Sequence, residues 1–524
     1  MWDCMAWDDL RFSFPDVGNR SRIVVTTRLE KVGEQVKYHT DPYSLPFLTT
    51  EESCQLLQRK VFQQEGCPPE LQYEDAIIPV SKLISLWVAE GFVQNSESAE
   101  YYLMDLINSN VVMVSKSSYN GKVKHCQVHD VVHHFCLEES RKEKFMLAVK
   151  GNVVQFQPLD WNGSRVSFSF SEKLFKSTSL RSKTQKPFHQ HLRSLIIGEY
   201  YDGFPFRSRI HTLRLLKVLD LSSNKVSYLS TATLKPLNHL KYLAVLANVF
   251  YFDPESCLPH LETLMVNSDN LDYIVLLPAS FWEMEKLRHV DIFSAEFDLE
   301  EDKQGLSSKL ENLRILKNIL RFPIDRMDVL SRRCPNLQQL HIEFYGGDSD
   351  SAESFCLSFE NLTQLQYLFL YIERPNIVSG LQLPSNLKKL VLCETDIENL
   401  GSFIPGLPSL EYLQLLDPDK FVQNRDWCLG DITFHNLKCL KLSRLDISRW
   451  DASEESFPQL ETLVIKSCHH LKEIPLSFAD IPTLKQIKLI RCENESLKDS
   501  AAEIKKDVEE NEGNDRIDLI IKDC

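Results

Sequence analysis

The chain has 524 residues, and its hydrophobic content of 43% and charged content of 25% are typical of a soluble folded protein of about three domains. The formal net charge of −15 argues against nucleic acid as a main partner. No run of 18 apolar residues is present, so we predict no transmembrane segment and leave peripheral membrane association open. The 14 cysteines form no C-x-x-C pair and the N-terminus has no features of a secretory signal, so we expect reduced thiols in a cytoplasmic protein.

Residues 1–72 have the pattern of an incomplete α/β unit. The β-branched run in Arg22–Thr27 predicts a strand buried on both faces. Arg28 follows its carboxyl end, where open α/β sheets place ligand contacts. Thr49–Glu52 forms a capping box that predicts the start of an amphipathic helix. One strand and one helix cannot make a domain, so this region is incomplete as it stands.

Residues 73–160 predict a small module of two helices and a hairpin. Pro79 opens the first helix and Gly91 ends it. Glu100–Asn108 continues as a second helix, and Asn120-Gly121 joins two short apolar runs as a hairpin turn. Two helices followed by a two-stranded wing favour a winged-helix module.

Residues 161–524 contain a motif, Leu-x-x-Leu-x-Leu with conservative swaps, that occurs thirteen times. The spacing averages about 24 residues, which is the period of a leucine-rich repeat. The weakest copy begins at Leu313 and has Asn318 in place of its third apolar residue. Leu497–Glu510 predicts a closing helix and Arg516–Ile521 a last strand. The first residues of the thirteen motifs are Leu192, Leu216, Leu240, Leu261, Leu287, Leu313, Leu337, Leu365, Leu387, Leu410, Leu437, Leu460 and Leu484.

The second and third apolar residues of each motif point to the same side of a short strand, because strand side chains alternate. Stacked repeats bury these residues in one continuous core. Side chains between the leucines, such as Val218 or Tyr412, cannot all enter that core. We therefore expect some of them on a concave sheet face that binds protein partners.

Four blocks of the chain resemble plant NB-ARC disease-resistance proteins. Ser21–Arg28 resembles the family's sensor strand, and Tyr43–Phe62 resembles the block that follows it. Ile78–Val93 resembles the helix of the winged-helix subdomain, and Gln127–Asp130 stands where the family carries Met-His-Asp. With the repeats, the chain is similar to coiled-coil-type late blight resistance homologues of nightshade plants.

The resemblance implies an α/β chain, with a leucine-rich-repeat solenoid of about 13 repeats after an incomplete NB-ARC and winged-helix region. The domains it implies are an NB-ARC remnant at 1–72, a winged-helix remnant at 73–160, and a leucine-rich-repeat domain with a C-terminal cap at 161–524. It also implies an intracellular immune receptor that exchanges ADP for ATP while its repeats bind a pathogen product or a guarded host protein.

Several family features are missing from the sequence. No G-x-x-x-x-G-K-[ST] loop is present to hold phosphates. By this resemblance, we expect the chain to begin just after the family's magnesium-holding strand and to lack the N-terminal coiled coil. The Gly-Leu-Pro-Leu block is missing between Gln72 and Tyr73. We expect a truncated and internally deleted relative.

Three residues carry over the family's nucleotide contacts. By resemblance, His129 would contact the ADP phosphates, Asp130 would position that loop, and Arg28 would face the terminal phosphate. Because the phosphate loop is missing, we expect this chain not to bind ADP or ATP and not to be an enzyme. The alternative is that His129 and Asp130 only begin the helix that follows them.

Three other functions stay open at the level of sequence. His129-Asp-Val-Val-His133 is similar to H-E-x-x-H and would make the protein a zinc hydrolase, although Asp replaces Glu and no third ligand is evident. A helical module before leucine-rich repeats also occurs in ubiquitin-ligase substrate adaptors. The third alternative is a non-signalling remnant of the family that binds a partner or has no function.

Overall fold

The structure of the protein is a computed structural model. It describes residues 77–128, 142–150, 163–169, 191–197, 213–270, 272–299, 308–345, 355–372, 378–393, 407–416, 425–430, 432–513 and 515–522, with isolated positions within 34–43 and 132–140. The strand predicted at 22–27 and the helix predicted from Thr49 lie outside the described residues.

The predicted helices and hairpin of the winged-helix region are present. Helix α1 spans Val80–Glu90 and ends at Gly91, whose φ of 83° is left-handed, and helix α2 spans Ser96–Asn108. Three strands form a sheet of order β1-β3-β2, in which β1 and β3 are antiparallel. The strand β1, which the sequence did not predict, uses Pro79 itself. The three strands are β1 Ile78–Pro79, β2 Val112–Ser117 and β3 Val123–Val128.

The chain divides into two compact units, and the division cuts through this region. The first unit contains residues 1–80, 97–116 and 123–135. The second contains residues 81–96, 117–122 and 136–524. Most of α1 and the hairpin turn therefore belong to the same unit as the repeats.

The repeats of the second unit form one parallel sheet of seventeen described strands. The strands are β4 Leu147–Lys150, β5 Arg165–Ser169, β6 Ser194–Ile197, β7 Val218–Ser230, β8 Tyr242–Tyr251, β9 Thr263–Asn267, β10 Val275–Leu277, β11 His289–Phe297, β12 Ile315–Pro323, β13 Gln339–Tyr345, β15 Tyr367–Ile372, β17 Lys389–Cys393, β18 Tyr412–Leu416, β20 Cys439–Ser443, β22 Thr462–Lys466, β23 Gln486–Ile490 and β24 Asp518–Lys522.

The remaining elements lie between the strands of that sheet. Two small parallel pairs join β14 Phe355–Ser358 to β16 Val378–Gln382 and β19 Arg425–Cys428 to β21 Ile447–Asp451. The helices are α3 Thr231–Leu234, α4 Met327–Arg333 and α5 Glu495–Glu512, with 3-10 turns at Ala279–Glu283, Ile324–Arg326, Glu454–Ser456 and Leu476–Asp480. No described helix is long and apolar enough to cross a membrane.

Each of the thirteen motifs coincides with a strand of the sheet, and their leucines form one continuous core. In Leu216-x-x-Leu219-x-Leu221 all three leucines are fully buried. In each motif, the backbone carbonyl of the residue after the first leucine accepts hydrogen bonds from the start of a neighbouring strand of the sheet, and these bonds align neighbouring repeats. For example, the Lys217 carbonyl accepts the N–H groups of both Lys241 (2.8 Å) and Tyr242 (3.0 Å). The leucine-rich-repeat fold predicted from sequence is confirmed.

The prediction for the weak motif needs a correction. Asn318 does not occupy the core position; it has a left-handed φ of 59° and lies in a β-bulge. One extra residue in β12 lets Ile319 pair with Ile342 and become fully buried. The motif is therefore complete, with its third apolar residue one position later.

The C-terminal cap forms as predicted. Asn494 begins α5 by accepting the Ser496 N–H with its side chain, and Gly513 ends the helix at a φ of 68°. Strand β24 pairs with β23, so the last repeat has a neighbouring strand. Arg516 donates to the Ile481 carbonyl at 2.7 Å and to the Leu484 carbonyl at 2.9 Å.

Candidate interaction surface on the sheet

The three residues carried over from the family's nucleotide site, Arg28, His129 and Asp130, lie outside the described residues, so their nucleotide role stays a prediction. The same holds for the zinc hypothesis, because His129 belongs to it. Among the described residues, no three His, Cys, Asp or Glu side chains are grouped so as to hold a metal ion.

The candidate interaction surface is the outer sheet face, by which we mean the face opposite the leucine core. It is the face that the sequence predicts to be concave, and it carries the side chains between the leucines. At β7 and β8 the side chains between the leucines lie on this outer face as expected, but they are not exposed to solvent. Val218, Asp220, Tyr242 and Ala244 are all buried there, because α1 packs on them.

The apolar part of this contact involves one side of α1. Ala89 packs against Val218, Tyr242 and Ala244, and Leu86 also contacts this cluster. Burial, together with the nearby Asp220 carboxylate, raises the pKa of the Tyr242 hydroxyl far above its usual value. The phenol is therefore held neutral under the helix.

An ion pair anchors the first half of α1. The Lys82 Nζ lies 2.7 Å from the Asp220 Oδ2 and donates to the Ser222 Oγ at 3.1 Å. The other carboxylate oxygen of Asp220 accepts from the Ser222 N–H at 3.0 Å and the Ser222 hydroxyl at 2.6 Å. Asp220 is thus a buried charge whose partners come from both the sheet and the helix.

A second group of contacts anchors the end of α1. Glu90 accepts from the Arg165 Nε at 3.0 Å and from the Ser194 hydroxyl. The Arg165 guanidinium lies over the rings of Phe92, at 5.1 Å, and Phe145, at 4.5 Å. Together, Lys82 and Glu90 place opposite charges of one helix on complementary charges of the outer sheet face.

The hairpin turn between β2 and β3 contacts the outer face farther along the sheet. The Tyr119 ring lies 5.0 Å from the Tyr412 ring. The Lys389 ammonium lies over both Tyr367 (4.2 Å) and Tyr412 (4.7 Å), a cation–π arrangement. Burial raises the pKa of the Tyr367 hydroxyl to about 12.

Between these two contacts, the outer face carries a charged cluster on β11, β12 and β13. The Lys317 Nζ lies 2.8 Å from the Asp291 Oδ2, and the Asn318 amide donates to the other carboxylate oxygen at 3.2 Å. Burial, together with the Lys317 ammonium, lowers the pKa of both His289 and His341 to about 4. Both histidines are therefore neutral near pH 7.

Several outer-face residues thus make contacts that the sequence did not predict. Asp220 lies inside the motif that begins at Leu216, and an acid between two core leucines was its only signal in the sequence. Lys82 and Glu90 are eight residues apart, which places them on one side of a helix. Neither the acid within the motif nor the spacing on the helix identifies the residue that each side chain contacts, because the contacts join positions more than 70 residues apart.

Three family models match the chain in succession. "NB-ARC domain" matches residues 1–67, "Disease resistance protein Winged helix domain" matches 73–136, and "Leucine-rich repeat region" matches 191–501.

Among curated proteins, the chain is similar to three late blight resistance proteins of Solanum demissum. It is 30% identical to the homolog R1B-16, covering 99% of this chain and 46% of that protein. It is 29% identical to a second, shorter homolog, covering 99% of this chain and 75% of that protein. It is also 29% identical to the late blight resistance protein R1-A, covering 99% and 47%.

The chain thus spans about half the length of two of these relatives, R1B-16 and R1-A. The alignments with R1B-16 and with the shorter homolog extend over 619 and 601 residues, more than the 524 of this chain. These relatives therefore contain internal segments that it lacks.

Proposed function

The chain belongs to the leucine-rich-repeat disease-resistance proteins of the NB-ARC class, and we propose that it serves plant defence as a protein-recognition module. In this proposal, the outer sheet face binds a protein partner, either a pathogen product or a host protein that the pathogen modifies. The observation that carries the proposal is the outer face itself, to which all thirteen motif strands of one parallel sheet contribute side chains.

The contact between α1 and the sheet supports a link between recognition and the winged-helix region. A partner that binds β7 or β8 on the outer face must displace α1 from Val218 and Tyr242. A partner that binds the later strands leaves these contacts in place. The proposal therefore distinguishes a sheet region occupied by the chain itself from a region open to a partner.

A nucleotide switch is not part of this proposal. The NB-ARC family binds nucleotide, and residues 1–67 match its model. However, the 524 residues contain no G-x-x-x-x-G-K-[ST] loop, whose backbone N–H groups and lysine would hold the phosphates. Arg28, His129 and Asp130 alone do not supply that set of donors, so we derive no step through ADP or ATP.

A ubiquitin-ligase adaptor explains the observations less well. It would account for the repeats but leave the matches to the NB-ARC and winged-helix families without an explanation. Co-purification with a ligase scaffold would favour the adaptor.

Transient expression in leaves of a nightshade plant tests the proposed function. The full chain is expressed alone and with individual secreted proteins of a pathogen, and both leaf cell death and co-immunoprecipitation are measured. We expect no cell death from the chain alone and stable capture of at least one secreted protein or modified host protein. Cell death from the chain alone would show a working switch, and capture of neither class of protein would contradict the recognition function.

A further inference from the structure

The last four strands of the sheet carry an alternating pattern of lysine and aliphatic residues on the outer face. Their register is continuous, from β20 through β22 and β23 to β24. In one row across these strands, the aligned residues are Lys441, Val464, Lys488 and Ile520. In the next row they are Ser443, Lys466, Ile490 and Lys522.

These residues point away from the core. The alternating partners on β22 and β23, such as Leu463 and Leu489, are fully buried among the leucines. Strand alternation therefore places Val464, Lys466 and Lys488 on the outer face, where they are half-exposed.

The two rows are offset by one strand, so each lysine has an aliphatic neighbour on the adjacent strand. We call these four lysines and three aliphatic residues the lysine surface.

The charge of the lysine surface is almost entirely positive. Asp518 is the one carboxylate among the twelve outer-face positions of these four strands, and it accepts a hydrogen bond from the Gln486 amide at 2.9 Å. A cationic surface within a chain of net charge −15 is a local feature that the overall composition hides. It attracts a partner with acidic side chains.

The protein itself shows how a helix can lie on this sheet. Helix α1 contacts the outer face of β5–β9 through Lys82, Leu86, Ala89 and Glu90, which are spaced four, three and one residues apart. Charged residues lie at both ends of this contact and small or aliphatic residues lie between them. On the sheet, Asp220 forms an ion pair with Lys82 of the helix, and Arg165 forms an ion pair with Glu90 of the helix.

We propose that the lysine surface binds an amphipathic α-helix of a partner protein, with acidic residues seven positions apart and aliphatic residues three or four positions after each. The inference rests on the proposed function, since it names the chemistry of the recognised partner. It extends to the last strands the helix-on-sheet contact that α1 makes on the first strands, with every charged pair in the sense of Glu90 and Arg165, the acid on the helix and the base on the sheet.

The distance between lysines across the strands agrees with the distance between residues seven positions apart on an α-helix. Lysines in one row lie two strands apart, which is about 9.6 Å at the usual strand separation. Seven residues of an α-helix advance about 10.5 Å, and three or four residues advance about 4.5–6 Å. A helix that crosses the strands therefore places an acid near Lys466, an aliphatic residue near Ile490, and a second acid near Lys522.

A labelled synthetic helix tests this surface directly. The probe is an amidated peptide of about 18 residues, with glutamates seven apart and leucines between them, which is long enough to cross four strands. Its binding to the purified full chain is followed by fluorescence anisotropy. A scrambled peptide of the same composition is the peptide control.

Two charge-matched variants of the full chain are compared. K466E/K488E reverses two charges on the lysine surface, whereas K472E/K506E reverses two exposed lysines on a loop and on α5. We expect K466E/K488E to weaken peptide binding about tenfold or more and K472E/K506E to leave it within about twofold. Melting curves of both variants confirm that they fold.

The outcomes separate this inference from the proposed function. Equal binding by both variants, no preference over the scrambled peptide, or no binding at all would overturn the lysine surface as a helix site. If the wild-type chain bound phosphatidylserine vesicles but not the peptide, the lysine surface would likewise not be a helix site. If K466E/K488E still captures the partner found in leaves, the recognition function stands and this surface is not its site. If K466E/K488E loses the peptide but the wild-type chain captures nothing in leaves, the surface stands and the proposed function fails.

Discussion

At the scale of single residues, the ion pair between Lys82 and Asp220 is asymmetric. The Lys82 side chain is 27% exposed, whereas that of Asp220 is 2% exposed. Removal of the lysine leaves a buried carboxylate with Ser222 as its remaining partner, but removal of the carboxylate leaves an ammonium that still contacts water. We expect Lys82→Met to weaken the docking of α1 by about 2–3 kcal/mol and Asp220→Asn by about 1 kcal/mol.

Hydrogen exchange of the α1 amides measures this docking without unfolding the repeats. Protection of α1 should fall more in Lys82→Met than in Asp220→Asn, while the β17–β23 amides stay protected in both. A larger loss in Asp220→Asn would contradict the account of the buried carboxylate.

The histidines of the charged cluster predict a dependence of stability on pH. The pKa of His289 and of His341 is about 4 in the folded protein, below the usual value of about 6.5. Between these values the unfolded chain binds more protons than the folded chain, so stability falls as pH falls from about 6.5 toward 4 and is unaffected above about 7. At pH 5 the expected loss is about 2 kcal/mol for each histidine.

Melting temperatures at pH 7, 6 and 5 measure this loss. The double variant His289→Gln/His341→Gln removes both titrating groups, so its melting temperature should fall less between pH 7 and pH 5 than that of the wild-type chain. An identical fall in the two proteins would assign the acid sensitivity to other groups.

At the scale of elements, the repeat period was sufficient to predict the thirteen motif strands and the core between them, but not additional strands such as β14, β16, β19 and β21. Leucine spacing decides which residues are buried, and alternation decides which side chains point outward, as in Leu463-Val464-Ile465. Local rules of this kind cannot identify what covers an outward side chain. Val218 is fully buried because a helix more than 120 residues earlier packs on it, and no local pattern contains that contact.

A row of asparagine side chains connects neighbouring repeats. The motif did not include these asparagines, although their positions recur in the sequence. Asn312, Asn336 and Asn436 each precede the first leucine of a motif. Each side-chain amide donates to a backbone carbonyl of the preceding repeat, at 2.9, 2.9 and 2.7 Å. These bonds stabilise the turns that lead into the strands, so an Asn-Leu pair at the repeat period predicts them.

The bulge in β12 gives an element-scale prediction. Deletion of Asn318 converts Leu313-x-x-Leu316-x-x-Ile319 into the regular spacing and removes one hydrogen bond to Asp291. We expect this deletion to cost about 1–2 kcal/mol of stability, because the core residues stay in place. Deletion of Gln414 from the regular β18 would move every later side chain of that strand to the opposite face and should prevent folding of the neighbouring repeats.

Thermal melting and soluble yield of the two deletion variants test this difference. Comparable damage from both deletions would mean that the bulge at Asn318 is required for the β12 geometry and does not merely lengthen the motif.

At the scale of the whole molecule, the matches to the family's domains follow the family's order, and the 524 residues contain no phosphate loop. Matches to the NB-ARC, winged-helix and repeat families follow one another along the chain. The repeats need no nucleotide to fold, because each strand pairs with its neighbours and the core continues through the array. The proposed recognition through the outer sheet face therefore does not depend on a bound nucleotide.

The last prediction concerns the nucleotide content of the purified chain. We expect denatured protein to release far less than one ADP or ATP per chain, because the 524 residues contain no glycine-rich loop and lysine to hold the phosphates. Chromatography of the released nucleotide measures this, and a full-length relative with an intact phosphate loop, purified in the same way, is the control. Near-stoichiometric ADP would mean that Arg28, His129 and Asp130 close around a nucleotide without that loop, and alanine substitution of His129 should then release it.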